Sequence, residues 1–178
     1  RTSDGRAGDA VIQVNPLAIE GTSILASENR SRLEPVLGRE LVDQAAQFWL
    51  DPGLSIQGPA EIAARMLPVH AMHDPTEGGL MGGLSEIASI TPWGLQIDSV
   101  AIPIHPYTRR VSATLGFDPL RLISSGVLLA ILPEKELESA KSELSDQRIP
   151  FSVIGKVVEG KGNCSESFSE ELWGLLSR

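Results

Sequence analysis

One cysteine in 178 residues leaves no internal disulfide framework. A reducing cytoplasm is the compartment that suits such a chain. There is no basic run, and the net charge is −8 with a pI near 4.9, a balance that disfavours nucleic acid and anionic membrane as partners. No apolar run approaches the roughly 18–20 residues of a membrane span, and there is no signal-peptide pattern. Nor is there a Walker A loop, a Gly-x-Gly-x-x-Gly fingerprint or a Gly-x-Ser-x-Gly nucleophile elbow. No carboxylate-rich metal motif, internal repeat or low-complexity segment occurs. The first residue is Arg1 and not methionine, so the chain is expected to be a fragment cut at a domain linker.

What is present suits one α/β (α+β) domain. The chain is 42% hydrophobic and 21% charged, and strand and helix patterns alternate along it. Residues 1–8 read as a linker or loose end, 9–160 as the domain, and 161–178 as a loop with a short terminal helix. Strands are expected at Asp9 to Val14, Val69 to Met72, Gly94 to Asp98, Val127 to Leu132 and Phe151 to Val158. Helices are expected at Ile19 to Glu28, Arg39 to Leu50, Ala60 to Met66, from Gly79 onward, Pro106 to Leu115 and Pro133 to Asp146. Gly116 suits the C′ position of its helix.

The chain is organised around Val69 to Leu84. A short apolar strand is broken by Asp74-Pro75-Thr76, because proline lacks an N–H and biases its predecessor away from helix. Thr76 suits an N-cap and Glu77 the first turn. Leu80, Leu84, Ile87 and Ala88 then recur on one helical face. A glycine-rich helix start of this kind can bind phosphate through backbone N–H groups at Gly78 and Gly79. Equally, Gly78, Gly79, Gly82 and Gly83 allow tight packing with no ligand.

Asp74-Pro75-Thr76-Glu77-Gly78-Gly79-Leu80 resembles the Asp-Pro-Thr-x-Gly-Gly-Leu motif of the aminoimidazole ribonucleotide (AIR) synthase-related superfamily, which includes the PurM, HypE, selenophosphate synthetase (SelD) and thiamine-monophosphate kinase (ThiL) types. Gly8 to Ile12, Glu20 to Ala26, Asp51 to Ser55, Gly116 to Leu120, Ser124 to Leu129 and Val153 to Val157 follow in the order expected of its C-terminal domain, closest to HypE-like members. The resemblance implies a PurM-type mixed sheet covered by helices. It also implies ATP and Mg as cofactors, with the Mg ligands in an N-terminal domain, and a homodimer. This domain would supply one wall of a nucleotide and small-substrate cleft, where ATP activates a carbonyl or amide oxygen or phosphorylates a small substrate. Residues 1–178 alone are then expected to be inactive. The alternative is a non-catalytic metabolite- or partner-binding module on the same fold.

Candidate catalytic residues are Asp74, which could hold a substrate group or a metal-linked water or simply close an Asx turn, and His73 beside it, which touches substrate or is a polar loop residue. Thr76, Gly78 and Gly79 are the nucleotide-binding candidates. Ser124, Ser125 and Gly126 could hydrogen-bond substrate or form a bulge. The resemblance also lets Glu20-Gly21-Thr22 face the same cleft, although an ordinary helix start explains them as well. No metal ligands are assigned, because His70 and His73 would point to opposite faces of a strand. His105, between prolines, is expected at the surface. HypE chemistry implies a carbamoyl-bearing cysteine at the extreme C-terminus. This sequence ends Leu175-Leu176-Ser177-Arg178, with Cys164 lying 14 residues earlier, so that reaction is not carried over.

Overall fold

The computed structural model describes residues 4–163 and 172–176. Cys164 and most of the serine-rich loop around it lie outside the described residues. Five strands form one sheet: β1 (Ala10–Val14), β2 (Ala71–His73), β3 (Gly94–Ile97), β4 (Leu128–Leu132) and β5 (Phe151–Val158), in the order β2-β4-β1-β5-β3. Around it lie α1 (Ile19–Glu28), α2 (Arg30–Leu37), α3 (Arg39–Ala46), α4 (Gln57–Met66), α5 (Gly79–Ser89), α6 (Pro106–Leu115), α7 (Leu137–Asp146) and α8 (Leu172–Leu176). The layered α/β class is as expected. Every neighbouring strand pair is antiparallel, however, and parallel pairing among the described residues is confined to an isolated bridge between Leu17 and Ile104. The reason is the connectivity: β4 inserts between β1 and β2, and β5 between β1 and β3. Strands β1, β2 and β3 therefore run one way and their neighbours the other.

β1 is the central strand, and all five of its residues are buried. Alternation sends Val11 to one face with Leu129 and Ile131, where Leu25 of α1, Val42 of α3, Leu84 of α5 and Val111 of α6 cover the sheet. Ile12 and Val14 face the other way with Leu128, Ala130 and Leu132, under Ala63 of α4 and Ala140 and Leu144 of α7. Burial on both faces explains why β4 reads as a continuous apolar run.

Several element ends differ from expectation for local reasons. α3 stops at Ala46, not Leu50, and gives way to a π-type turn over Trp49–Gly53. Pro52 cannot donate a helical hydrogen bond, and Asp51 before it is extended at φ −140°, ψ 112°. α4 begins at Gln57, ahead of the expected Ala60. The helix expected from Pro133 opens as a short 3₁₀ turn at Glu134–Glu136. Residues 6–9 form a turn in which Arg6 N–H and the His70 ring both meet Asp9 Oδ2, at 2.7 and 2.6 Å. This pairing keeps a buried carboxylate satisfied beside the sheet. The edge strand β3 is closed by Asn163, whose side-chain amide bonds both Ile97 N–H and Ile97 C=O at 2.8 Å. Side-chain bonding of that kind hides an edge that would otherwise be a template for strand addition.

Candidate active site

Four connections meet at the end of the sheet where β1 and β2 finish and β4 starts. They are the β1–α1 turn, the β2–α5 turn, the lead-in to β4 over residues 120–126, and the loop over residues 51–54. The lead-in ties them together. Ser124 N–H donates to Thr76 C=O at 3.2 Å, and Gly21 N–H to Ile123 C=O at 3.4 Å. Asn15 Nδ2 donates to Gly126 C=O at 2.8 Å. Gly126 lies against Gly53 and Leu54. The sequence candidates Asp74, Thr76, Gly78, Gly79, Ser124, Ser125 and Gly126 are therefore brought to one place, and Glu20 joins them.

Their roles in the fold are specific. Gly78, in the left-handed conformation at φ 75°, is the N-cap of α5, and no side chain caps it. Thr76 is therefore not the N-cap its residue type suggested. It acts through its carbonyl, which accepts from both Gly79 N–H and Ser124 N–H at 3.2 Å. The Gly79 N–H is thus committed inside the turn, which corrects the picture of two open backbone donors. Gly79 also sits hard against the short 3₁₀ turn Pro119–Arg121: a β-carbon there would lie 2.7 Å from Leu120 O and 2.6 Å from Leu122 O. Gly83, one turn along α5, packs on Pro75 and His73 in the same way. Packing alone explains these two glycines.

Asp74, Thr76 and Glu77 are exposed. Partial burial of its carboxyl pushes the Asp74 pKa above its ordinary value; His73 opposes the shift and Glu20 adds to it. Glu20, in the first turn of α1, has one carboxylate oxygen, Oε2, buried without a hydrogen-bond partner. A buried carboxylate oxygen of this kind calls for a donor. His73 turns toward α5, with Nε2 2.7 Å from Glu86 Oε2, at ion-pair distance but without hydrogen-bond alignment. His70 reaches Asp9 instead, so the two histidines go to different partners. Among the described residues no group of three or more His, Cys, Asp or Glu side chains comes together as a metal site. Ser124 is fully buried and its hydroxyl donates to Leu122 C=O at 2.7 Å, whereas Ser125 is half-buried.

Two further residues hold positions that the sequence reading does not anticipate. Asn15 holds a left-handed φ of 67° as well as its bond to Gly126, for which the Asn15-Pro16 pair is the only signal. His105 is half-buried, not a plain surface residue: its Nδ1 accepts from Tyr107 N–H at 3.1 Å and caps α6. Burial lowers its pKa.

An antiparallel sheet layered between helices, with a polar edge built from strand-to-helix turns, defines a layered α/β class of domain. The chain belongs to the family described as AIR synthase related protein, C-terminal domain, whose profile matches residues 6–165. Carbamoyl dehydratase HypE of Rhodobacter capsulatus is 37% identical over 157 residues, covering 86% of this chain and 42% of that protein. HypE of Rhizobium leguminosarum bv. viciae is 31% identical over 160 residues, covering 89% and 43%. Among solved structures, Escherichia coli HypE superposes with a TM-score of 0.73 at 25% identity, over 91% of this chain and 47% of that one. A hydrogenase maturation protein HypE in complex with ATP gives 0.67 at 25% identity, over 89% and 45%. The chain therefore spans less than half the length of these HypE relatives. No helix among the described residues is long and apolar enough to cross a membrane.

Proposed function

We propose that this domain forms one wall of the nucleotide and substrate cleft of a HypE-like, ATP-dependent enzyme. The observation that carries the reading is the convergence of Glu20, Asp74, Thr76 and Ser125 at one sheet end. The likeness to a HypE that binds ATP supports it. An acidic edge suits a nucleotide that arrives with its magnesium, not a bare polyphosphate. Asp74 and Glu20 would face the hydration shell of that ion, while its direct ligands come from an N-terminal domain. Thr76 and the backbone at Gly78 and Gly79 would border the phosphates, and His73 would orient the segment through Glu86. ATP supplies the phosphoryl group that makes a carbonyl, amide or hydroxyl oxygen reactive. What this wall contributes is position and charge. The working unit is a homodimer of the longer protein.

Titration calorimetry of the intact protein with a Mg-bound, non-hydrolysable ATP analogue tests this. Asp74→Ala and Thr76→Val, each checked for fold by circular dichroism, are expected to weaken binding by about tenfold or more, as the loss of one charged or charge-assisted contact does. Unchanged affinity in both folded variants overturns the reading. A second reading, a non-catalytic metabolite- or partner-binding module, is favoured by one feature: packing already accounts for Gly79 and Gly83, and the Gly79 N–H is spoken for. No binding by folded wild-type protein would select it.

A further inference from the structure

A second cleft, of about 850 Å³, opens beside this edge between α3, the 51–52 loop and the start of α6. Its volume lies within the roughly 300–1,000 Å³ typical of small-molecule sites. None of Asp74, Thr76, Gly78 or Ser124 lines it. It shares Asn15 and Pro16 of the β1–α1 turn, and Asp51 and Pro52 of the 51–54 loop, with the edge.

Its walls are unusual in composition. Pro16, Pro52, Pro106 and Pro150 come to it from four separate segments. Proline fixes its own φ and offers no backbone N–H, so these walls are stiff and contribute no donors. A ligand's acceptors must therefore be met by side chains. Phe48 and Tyr107 lie nearly parallel, at 7° and 6.1 Å between ring centroids, and the His105 ring stands edge-on to both at 4.7 and 5.0 Å.

That packing and the helix cap fix the state of His105. Because Nδ1 accepts the Tyr107 N–H, its lone pair is occupied and the ring proton is assigned to Nε2. Nε2 has no partner among the described residues, and His105 lines the cleft. The structure therefore offers a neutral imidazole N–H donor held in one orientation by its own cap. Gln47, exposed at the rim, adds a carboxamide that can donate and accept. Gln44 Oε1 is taken by the Tyr107 hydroxyl at 2.7 Å, which leaves its amide nitrogen as a further donor. The one ionised group in the lining is the Asp51 carboxylate. An anion would meet repulsion from it, whereas a neutral N–H would find an acceptor.

We propose that this proline-walled cleft is a binding site for a neutral, planar nitrogen heterocycle carrying both hydrogen-bond donors and acceptors. The ring lies against the Phe48–Tyr107–His105 cluster, His105 Nε2–H and Gln47 meet its acceptors, and Asp51 meets its N–H. The site stands apart from the nucleotide reading: none of Glu20, Asp74, Thr76 or Ser125 lines it, and it does not require ATP to bind.

Uracil is the probe, with orotate as its anionic counterpart of similar ring shape. Saturation-transfer NMR and calorimetry on the intact protein are expected to show saturable uracil binding. Orotate is expected to bind at least about tenfold more weakly, and Gln47→Ala and His105→Asn to weaken uracil by about tenfold, the scale of one hydrogen bond. Asparagine is itself a good N-cap, so His105→Asn keeps α6 capped while removing the Nε2 donor. Gln47 makes no side-chain bond among the described residues, so its variant separates binding from folding even if the other fails to fold. Asp74→Ala is expected to leave uracil binding unchanged. Absence of saturable binding by wild-type protein, equal binding of orotate, or full affinity in Gln47→Ala each overturns the proposal. A loss of uracil binding in folded Asp74→Ala would also overturn it, because the two sites would then be one.

Discussion

Replacing Gly79 with alanine separates packing from ligand binding at the centre of the fold. Two costs add. The residue sits at φ +62°, where a β-carbon is disfavoured, by roughly 1–2 kcal/mol. That β-carbon would also lie 2.6 and 2.7 Å from two backbone carbonyl oxygens, of Leu122 and Leu120. Backbone cannot swing aside as a side-chain tip can, so the 120–122 turn must shift, and overpacking of this kind costs roughly 1–3 kcal/mol. The sum is about 2–5 kcal/mol, a large share of the roughly 5–15 kcal/mol that holds a domain folded. Gly116 is the internal control. It has φ +77°, and a β-carbon there would meet nothing within 4 Å, so alanine should cost only about 1–2 kcal/mol, the conformational part. Urea unfolding of wild type and both variants measures the difference. Gly79→Ala should lower the midpoint clearly more than Gly116→Ala at an unchanged slope. Equal losses would mean that the contact with the 120–122 turn contributes nothing, and the packing explanation of the glycine motif would fail.

Asn163→Ala removes both side-chain bonds to Ile97; about 1–3 kcal/mol of stability should go with them, and hydrogen exchange at the Ile97 amide should accelerate. Unchanged protection at Ile97 would refute the role of Asn163 as an edge closure. Asn15→Gly keeps the left-handed backbone but loses the bond to Gly126 O, while Asn15→Ala loses both, so calorimetric melting should rank wild type, then glycine, then alanine. The Asp74 carboxyl pKa is raised in the folded state, chiefly by burial. Its protonated form is thus favoured by folding: the contribution is present below the unfolded pKa and is lost as pH rises through the folded value. Asp74→Asn should accordingly be more stable than wild type at neutral pH, with the advantage shrinking as pH falls through the folded pKa and gone below the unfolded value of about 4; the opposite pH trend in urea midpoints would count against the shift. For His105 the folded pKa is lowered by burial, so its contribution is present above the unfolded value of about 6.5 and declines as pH falls through the folded one. An NMR titration of its ring protons should give a midpoint below that of an exposed histidine.

Much of this fold is legible because its elements are strongly patterned. The continuous apolar run before Pro133 suits a strand buried on both faces, and Gly116 ends α6 where its backbone freedom is needed. The edge of the sheet is legible as well, since Asp74-Pro75-Thr76 must break a strand. Less legible is how the turn spends its hydrogen bonds. Thr76 has the residue type of a side-chain cap, yet Gly78 takes that position, and the β4 lead-in claims the Thr76 carbonyl. That contact joins segments far apart in the chain, and no local pattern encodes it. His105 escapes a sequence reading for a similar reason: its cap is local, but its burial comes from Phe48 on a distant segment.

The lead-in over residues 120–126 changes how the serine-glycine candidates should be understood. Ser124 is buried, bonded to Leu122 through its hydroxyl and to Thr76 through its N–H, so it acts on the turn that carries Asp74. It is a positioning residue. Ser125, half-buried beside it, is the member of the pair to which the proposed function assigns the ligand contact. Substitution should therefore divide them. Ser124→Ala keeps the backbone bond to Thr76 but leaves the buried Leu122 carbonyl without its hydroxyl donor, at a cost of roughly 1–3 kcal/mol. Its signature is a lower urea midpoint together with changed chemical shifts at Thr76 and Gly79. Ser125→Ala should leave stability within about 0.5 kcal/mol, as substitutions away from packed features do, and act on nucleotide or substrate affinity alone. If Ser125→Ala destabilises as much as Ser124→Ala, the division is wrong and the whole segment serves only to hold the turns in place.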